Sequence, residues 1–183
     1  MTSLEGSIVL VTGIMAAGKS TVSEQLAIRL DRSVHLRGDV FRKMIVNGRA
    51  DMSAVPGEEA LRQLELRYEL AVSAAMRYAR DGYTVIYQDV VIGKYLTDVA
   101  RKLRSDDHVI VLCPSTNVVT EREASRKKSG YRYFDPGQLQ NVLQDETERI
   151  GCWIDNSNQM PDQTVDYLLQ NLEQAQIGNY FDE

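Results

Sequence analysis

The segment at residues 13–20 constrains this chain more than any other part of its sequence. It reads GIMAAGKS and satisfies the pattern GxxxxGK(S/T). A short apolar, β-branched run at residues 7–12 precedes it, and residues 19–30 carry valine and leucine at helical spacing. A strand, a glycine-containing turn and a helix in this order are the context in which such a loop binds phosphate. The sequence therefore predicts a phosphate-binding loop, here called the P-loop, at residues 13–20.

The residue types of the P-loop suit a nucleoside triphosphate. Gly13 and Gly18 let the backbone curl, so that consecutive N–H groups and the N-terminus of the following helix face a polyphosphate. We expect an exposed Lys19 to place its charge on the β and γ phosphates, and Ser20 to offer its hydroxyl to Mg²⁺. Thr21 is expected to cap the same turn. These expectations make ATP and Mg²⁺ the predicted cofactors.

Composition and charge limit what else the chain binds. Its 183 residues, 43% hydrophobic and 26% charged, fit a single domain at residues 1–183. A net charge of −5 gives no general attraction to nucleic acid or to an anionic membrane. The apolar runs are far shorter than the roughly 20 residues that span a bilayer, and the N-terminus lacks the basic start of a signal peptide. We therefore expect a cytoplasmic protein with a small-molecule partner and neither a nucleic-acid nor a membrane partner, while a homodimer is left open.

Strand and helix patterns alternate along the chain. Strands are predicted at five places, residues 7–12, 33–36, 83–87, 108–113 and 151–154. One of the helical patterns starts at Asp135-Pro136 and continues as far as Ile150. Apolar strands that alternate with helices predict a parallel sheet covered on both faces, with ligands at the carboxyl ends of the strands. Cys113 and Cys152 fall in two of the strands and are expected to be buried thiols.

Signatures of other classes of nucleotide-binding protein do not occur in the sequence. A GTPase needs a DxxG switch and an NKxD guanine-reading motif, and neither occurs. Large mechanical ATPases need a longer chain and an apolar run that ends in Asp-Glu, whereas the acids that follow strands here, Asp39 and Asp89, stand alone. A short chain with an acid after its second strand and a basic segment after its fourth favours a small kinase.

Two acidic residues are candidates for the chemistry. Phosphoryl transfer to a hydroxyl needs a carboxylate near the acceptor, and Asp39 is preferred because it follows the second predicted strand. Three roles stay open for Asp39: the catalytic base, a ligand of Mg²⁺ through water, or the N-cap of a helix that begins at Val40. Asp89 is predicted to contact the substrate or Mg²⁺ through water, and a structural role suits it equally well.

Basic residues concentrate in a segment at about residues 121–135, which we interpret as a lid. Arg122 is expected to stack on adenine and Arg126 to reach the transferring phosphate as a catalytic residue, since both share one helical face. A solvated helix end is the alternative. The predicted nucleotide-binding residues are Gly13, Ala16, Ala17, Gly18, Lys19, Ser20, Thr21 and Arg122.

A second basic cluster flanks Asp39 in the predicted acceptor-side segment, at about residues 37–80. Arg37 and Arg42 are candidate substrate ligands, although Arg42 can instead pair with an acid at residues 58–59. Four side chains nearby suit either an apolar acceptor pocket or the core, namely Phe41, Met44, Met52 and Tyr68.

Several of these motifs resemble those of known kinases. The run HLRGDVFR at residues 35–42 resembles the TGDxLR segment of nucleoside monophosphate kinases, and TEREASR at residues 120–126 is similar to the start of their lid. Nearly the whole chain resembles the chloramphenicol phosphotransferase-like group of P-loop kinases, through the P-loop, the Asp after strand two, an acidic DV after strand three and the lid helix. Gln88 departs from that group, in which an acid often stands at this position.

The resemblance implies a three-layer α/β P-loop NTPase fold, with a five-stranded parallel sheet in the order 2-3-1-4-5 and helices on both faces. It also implies ATP-dependent phosphorylation of a hydroxyl on a small molecule, such as an antibiotic or a metabolite. Asp39 matches the proposed base of the resembling phosphotransferases, and Arg42 matches the arginine that grips the acceptor phosphate in monophosphate kinases. A nucleoside or nucleotide kinase and a non-catalytic module that senses ATP stay open as alternatives.

Overall fold

A five-stranded parallel sheet forms the centre of the computed structural model, which describes residues 4–125 and 135–181. Its strands are β1 Ile8–Thr12, β2 Ser33–Arg37, β3 Thr84–Gln88, β4 His108–Leu112 and β5 Cys152–Ile154. They pair in parallel in the order β2-β3-β1-β4-β5. The predicted fold class and strand order are therefore confirmed, and each predicted strand matches to within one residue at either end.

Helices cover both faces of the sheet. They are α1 Lys19–Ile28, α2 Asp39–Lys43, α3 Glu58–Arg80, α4 Lys94–Ala100, α5 Thr116–Ala124, α6 Pro136–Asn141 and α7 Pro161–Gln170. A π-helical turn, Val142–Glu146, extends α6, and two 3₁₀ turns, Leu172–Ala175 and Ile177–Asn179, follow α7. Within the described ranges, no helix is both long enough and apolar enough to cross a membrane.

The helix predicted to continue to Ile150 ends earlier. Its regular part stops at Asn141, and the π turn ends at Glu146. Thr147 then adopts an extended backbone, and its hydroxyl donates to the carbonyl of Val142 at 2.8 Å while accepting from the N–H of Gly93 at 2.7 Å. The hydroxyl satisfies a carbonyl of the last turn, so the helix can stop there.

Alternate residues of β1 pack on opposite faces of the sheet. Ile8 and Leu10 join the cluster formed with α3 and α4, whereas Val9 and Val11 join the cluster formed with α1 and α7. Because both faces are covered, every residue of this strand is buried, which explains its continuous apolar sequence.

The sheet register brings three loops to one edge. Arg37 at the end of β2 lies beside Gln88 at the end of β3, and Val11 of β1 lies on the other side of Gln88. Since parallel strands end at the same edge, the P-loop after β1, the start of α2 and the segment after β3 are neighbours. The candidate site lies at this edge.

Candidate active site

The backbone of the P-loop has a conformation that depends on glycine. Gly13 has a φ of 139° and Gly18 a φ of 97°, and Ala16 between them has a φ of 64°. A Cβ atom at Gly13 would lie 2.3 Å from the carbonyl oxygen of Leu112 on β4. No residue with a side chain fits Gly13 without moving the backbone of either segment, and this is the structural reason for the first glycine of the motif.

Lys19 lies inside the P-loop, not on its surface. The residue is only 7% exposed, and its Nζ donates to the carbonyl oxygens of Gly13 and Ile14 at 2.8 Å each. The expectation of an exposed lysine is therefore wrong, because the curled loop turns two carbonyls towards the ammonium group. Its charge is held at the centre of the loop, where a phosphate would bind.

Ser20 is held by a neutral side chain from β3. Nε2 of Gln88 donates to Oγ of Ser20 at 2.9 Å, and Oε1 of Gln88 lies 2.9 Å from Nε2 of His35. Across residues 4–125 and 135–181, no three His, Cys, Asp or Glu side chains gather as a metal site. The hydroxyl of Ser20 is a hard oxygen donor of the kind that suits Mg²⁺ carried in with a nucleotide, so the residues fit this cofactor.

The start of α1 differs from the prediction. Gly18 occupies the N-cap position, and none of the described side chains caps it. Thr21 lies exposed in the first turn of the helix. The expected capping role of Thr21 is therefore wrong, because it lies three residues inside the helix boundary.

Arg122 extends from α5 to the P-loop. Its Nη2 donates to the carbonyl of Asn156 at 3.0 Å, and its Nη1 lies 3.4 Å from the carbonyl of Ala17. Asn156, in the loop after β5, donates from Nδ2 to the same carbonyl of Ala17 at 3.0 Å. The guanidinium of Arg122 therefore lies against the backbone of the P-loop, while its stacking on adenine stays a prediction. Asn156 is a neighbour that no motif in the sequence indicates. Arg126 and the rest of the predicted lid as far as residue 134 lie outside the described residues.

Asp39 is the first residue of α2, and Gly38 takes the N-cap position without a side-chain cap among the described residues. The capping alternative is therefore wrong. The carboxylate of Asp39 instead pairs with Lys43 and lies 3.6 Å from Nε of Arg37. Burial raises the pKa of Asp39, but Lys43, Arg37 and Arg67 outweigh this effect, so its pKa lies below the ordinary value. Asp39 is a half-buried, ionised carboxylate beside the P-loop edge of the sheet.

Asp89 forms a buried ion pair that sequence reasoning missed. Nε of Arg67 donates to its Oδ2 at 2.8 Å, Nη2 of Arg67 donates to Oδ1, and the N–H of Val90 donates to Oδ1 at 2.7 Å. The side chains of Arg67 and Asp89 are 12% and 3% exposed. Burial lowers the pKa of Arg67, but the Asp89 carboxylate outweighs this effect and holds that pKa above its ordinary value. Substrate binding by Asp89 stays a prediction, while the contact that the structure gives it is Arg67.

A cavity of about 620 Å³ lies beside the P-loop. Met15 of the P-loop belongs to its wall. The rest comes from α2, α3, the segment between them, the segment after β3, the start of α4, α6 and the π turn. The lining residues are Met15, Arg42, Ala50, Asp51, Met52, Ala60, Gln63, Leu64, Arg67, Tyr68, Val90, Ile92, Gly93, Lys94, Tyr95, Leu139, Val142 and Glu146. Its volume is in the range of small-molecule sites, and most of its wall is apolar.

The predicted acceptor-side residues fall into two groups. Arg42, Met52 and Tyr68 line the cavity, whereas Phe41 packs against the core and Met44 is 64% exposed. Arg42 pairs with neither predicted partner at residues 58–59, because its guanidinium reaches Asp51. Arg37 is exposed and lies beside Asp39.

Known proteins share this architecture. The APS kinase of Mycobacterium tuberculosis, solved with AMPPNP and APS, is 18% identical, with a TM-score of 0.67 over 92% of this chain and 98% of that one. The tunicamycin resistance protein of Deinococcus radiodurans is 15% identical, with a TM-score of 0.64 over 93% and 97%. A sugar kinase from Janibacter sp. HTCC2649 is 18% identical, with a TM-score of 0.63 over 92% and 95%. At these identities the likeness shows a P-loop kinase-like fold.

Sequence comparison defines the family. No curated protein matches this sequence significantly. A family model described as an AAA domain matches residues 8–148, which run from the start of β1 to just beyond the π turn. That range holds the P-loop, α2, the Arg67–Asp89 pair and the cavity wall. The chain therefore belongs to the AAA domain family of P-loop nucleotide-binding proteins.

Proposed function

We propose that this chain is an ATP-dependent phosphotransferase that moves the γ-phosphoryl group of ATP to a hydroxyl group of a small molecule. The proposal rests on the observation that Met15 belongs both to the P-loop and to the wall of the 620 Å³ cavity. A nucleotide on the loop would therefore present its terminal phosphate beside a molecule in the cavity. The APS kinase neighbour, solved with AMPPNP and APS, supports an arrangement with two substrates.

On the nucleotide side, each residue has a role that follows from its position. The P-loop N–H groups and Lys19 hold the phosphates, and Ser20 offers its hydroxyl to Mg²⁺. When bound, Mg²⁺ neutralises charge on the phosphate oxygens. Arg122 contributes positive charge from α5 across Ala17, and Arg126 is proposed to stabilise the charge that develops on the transferred group.

On the acceptor side, Asp39 is the proposed base that accepts the proton of the acceptor hydroxyl. The bond from the γ-phosphorus to its bridging oxygen breaks, a bond to the acceptor oxygen forms, and the hydroxyl proton passes to the carboxylate. The lowered pKa keeps Asp39 ionised at neutral pH and ready to accept this proton. Holding the waters of Mg²⁺ is the other role that stays open for Asp39. Arg37, Arg42 and Asp89 stay predicted substrate ligands.

The test is the variant Asp39→Asn, with Asp98→Asn, an exposed aspartate of α4, as the matched control. We expect Asp39→Asn to cut transfer by roughly 100-fold or more with little change in ATP affinity, because an amide cannot take the proton. ADP release across a library of hydroxyl compounds measures transfer, and calorimetry measures ATP affinity. Normal turnover by Asp39→Asn would remove Asp39 from the mechanism, and rescue by raised Mg²⁺ would assign it to the metal waters.

A non-catalytic ATP sensor is the second candidate function, favoured by Gln88. A neutral amide lies 2.9 Å from Ser20, and it supplies less negative charge for Mg²⁺ than a carboxylate would. A sensor would bind ATP with its normal affinity and transfer phosphate to no member of the library. The cytoplasmic location, the small-molecule partner and the absence of a nucleic-acid or membrane partner stay predictions.

A further inference from the structure

The cavity beside the P-loop contains an arginine, Arg42, that one carboxylate contacts. Arg42 extends from α2 into the cavity wall with 28% of its side chain exposed. Its guanidinium pairs with the carboxylate of Asp51, which lies in the segment between α2 and α3 and lines the same cavity. A ligand phosphate that approaches Arg42 would therefore meet the negative charge of Asp51 as well.

The other basic side chains of the cavity also have partners. Arg67 donates two hydrogen bonds to the buried carboxylate of Asp89. Lys94 is exposed, and its Nζ lies 5.0 Å from the centre of the Tyr95 ring. A second acid, Glu146, lines the cavity as well. Among the described residues, the lining thus holds three cations, Arg42, Arg67 and Lys94, and two carboxylates, Asp51 and Glu146. Asp89, which is not among the lining residues, pairs with Arg67.

Two uncharged polar side chains of the wall, Gln63 and Tyr68, form hydrogen bonds within the protein. Gln63 donates from Nε2 to the carbonyl of Gly48 at 2.8 Å, and its Oε1 accepts from the N–H of Ala50 at 2.9 Å. The hydroxyl of Tyr68 donates to the carbonyl of Val90 at 2.6 Å. The remaining surface of the wall is mostly apolar. It includes the rings of Tyr68 and Tyr95, whose centres lie 5.6 Å apart.

We propose that Asp51 sets the charge selectivity of the acceptor cavity. By pairing with Arg42 it disfavours phosphorylated acceptors and favours an uncharged alcohol with an apolar body. The inference rests on the proposed function, in which this cavity holds the acceptor. Its physical basis is that a phosphate would have to displace Asp51 from Arg42 or bind beside it, and like charges at contact cost binding energy in a partly buried site.

This selectivity separates the main proposal from the nucleotide-kinase alternative. A kinase of monophosphates needs a cation that is available to the acceptor phosphate, and Arg42 occupies the position of that arginine in the resembling sequence motif. The Asp51 carboxylate instead occupies Nη2 of Arg42, so an acceptor phosphate would have to compete with it there. Removing the carboxylate of Asp51 should therefore raise the affinity of the cavity for a phosphate group.

The experiment compares ligand binding by four proteins with AMPPNP saturating the P-loop, so that no transfer occurs. They are the wild type, Asp51→Asn, Glu146→Gln and the double variant Asp51→Asn/Arg42→Ala. Glu146→Gln is the matched control, because it removes one acidic charge from the same cavity wall without touching the partner of Arg42. The probes are 2-(2-naphthyl)ethanol, its phosphate ester and inorganic phosphate, and calorimetry measures each affinity.

We expect the wild type to bind the alcohol at least tenfold more tightly than the ester. Asp51→Asn should bind the ester and inorganic phosphate at least about tenfold more tightly than the wild type, because a charge-assisted hydrogen bond becomes available. Glu146→Gln should show a smaller gain, and the double variant should lose the gain. Thermal melting of each variant checks that the fold is retained.

Three results would overturn the inference. The first is that the wild type binds the ester as tightly as the alcohol or more tightly. The second is that Glu146→Gln gains as much affinity for the ester and phosphate as Asp51→Asn does. The third is that Asp51→Asn gains no affinity for the ester or phosphate, whatever its affinity for the alcohol. The first would show that Arg42 is available, and the second that only the summed charge matters. ADP release with wild-type enzyme and ATP tests the proposed function separately: a cavity with this binding pattern but no transfer would refute the kinase and leave the assignment of Asp51 intact.

Discussion

Replacing Arg67 with alanine leaves the carboxylate of Asp89 buried without its counter-charge. The two side chains are 12% and 3% exposed, so the guanidinium, and not bulk water, is the partner of this carboxylate. Removing one partner of such a pair typically costs about 3–5 kcal/mol. Coulomb's law agrees, because unit charges about 4 Å apart at an effective dielectric constant of about 20 attract by about 4 kcal/mol. A loss of this size is a large share of the roughly 5–15 kcal/mol that stabilises a domain.

The loss should also depend on pH. Burial raises the pKa of Asp89, and Arg67 is the first group that opposes this rise. Without Arg67 the pKa of Asp89 in the folded state rises further above the unfolded value. A carboxyl group with a raised folded pKa costs stability at neutral pH, and the cost shrinks as the pH falls from the folded pKa towards the unfolded one. We therefore expect Arg67→Ala to be less destabilised, relative to the wild type, at pH 5 than at pH 7.5.

Urea unfolding at the two pH values measures both effects. Arg62→Ala is the matched control, since Arg62 is an arginine of the same helix whose partner, Glu59, is exposed like itself. We expect this control to lose little stability and to show no comparable pH effect, because exposed ion pairs contribute little. Equal losses in the two variants, or a loss in Arg67→Ala that does not change with pH, would refute the argument that Asp89 is a desolvated charge held by Arg67.

Two further predictions concern the P-loop and the cysteine that follows β4. Gly13→Ala should weaken ATP binding and lower the melting temperature, because the new Cβ would lie 2.3 Å from the carbonyl oxygen of Leu112. Gly57→Ala, where a Cβ meets open space, is its control, and normal ATP affinity in Gly13→Ala would contradict the loop conformation described above. Burial, and next the charge of Asp155, raise the pKa of Cys113 to about 11, so iodoacetamide should alkylate this thiol slowly at pH 8 and about tenfold faster per pH unit up to pH 10. Cys113 is half-buried, and alkylation at pH 8 as fast as that of an unstructured cysteine peptide would show that its surroundings do not raise its pKa.

Local patterns in the sequence are sufficient to predict the strands and the parallel sheet, whereas the strand order was implied by the resemblance to known kinases. β1, β3 and β4 are short runs rich in β-branched residues and buried on both faces, so their apolar character is nearly continuous and easy to recognise. β2 is mostly half-buried, and its pattern is weaker. The P-loop is also local, because its two glycines and the lysine act within eight consecutive residues. The end of the helix after Asp135 was harder to predict, since it depends on a contact of Thr147 with Gly93, 54 positions earlier in the chain.

The charge pairs of the site could not be predicted in this way. Arg67 and Asp89 are 22 positions apart, and Asn156 contacts Ala17 across 139 positions. Arg42 had acids available on both sides in the sequence, and only the path of the segment before α3 decides that Asp51 is its partner.

The sequence by itself determined the P-loop, the alternation of strands and helices, and the acid after β2. The tertiary structure decided which charges are buried, which are paired and which line the cavity. The physical reason is that strand and helix patterns, like the P-loop turn, depend on neighbours a few positions away along the chain. The energy of a charge depends instead on its distance in space from other charges and on its exposure to water, and spacing along the chain specifies neither.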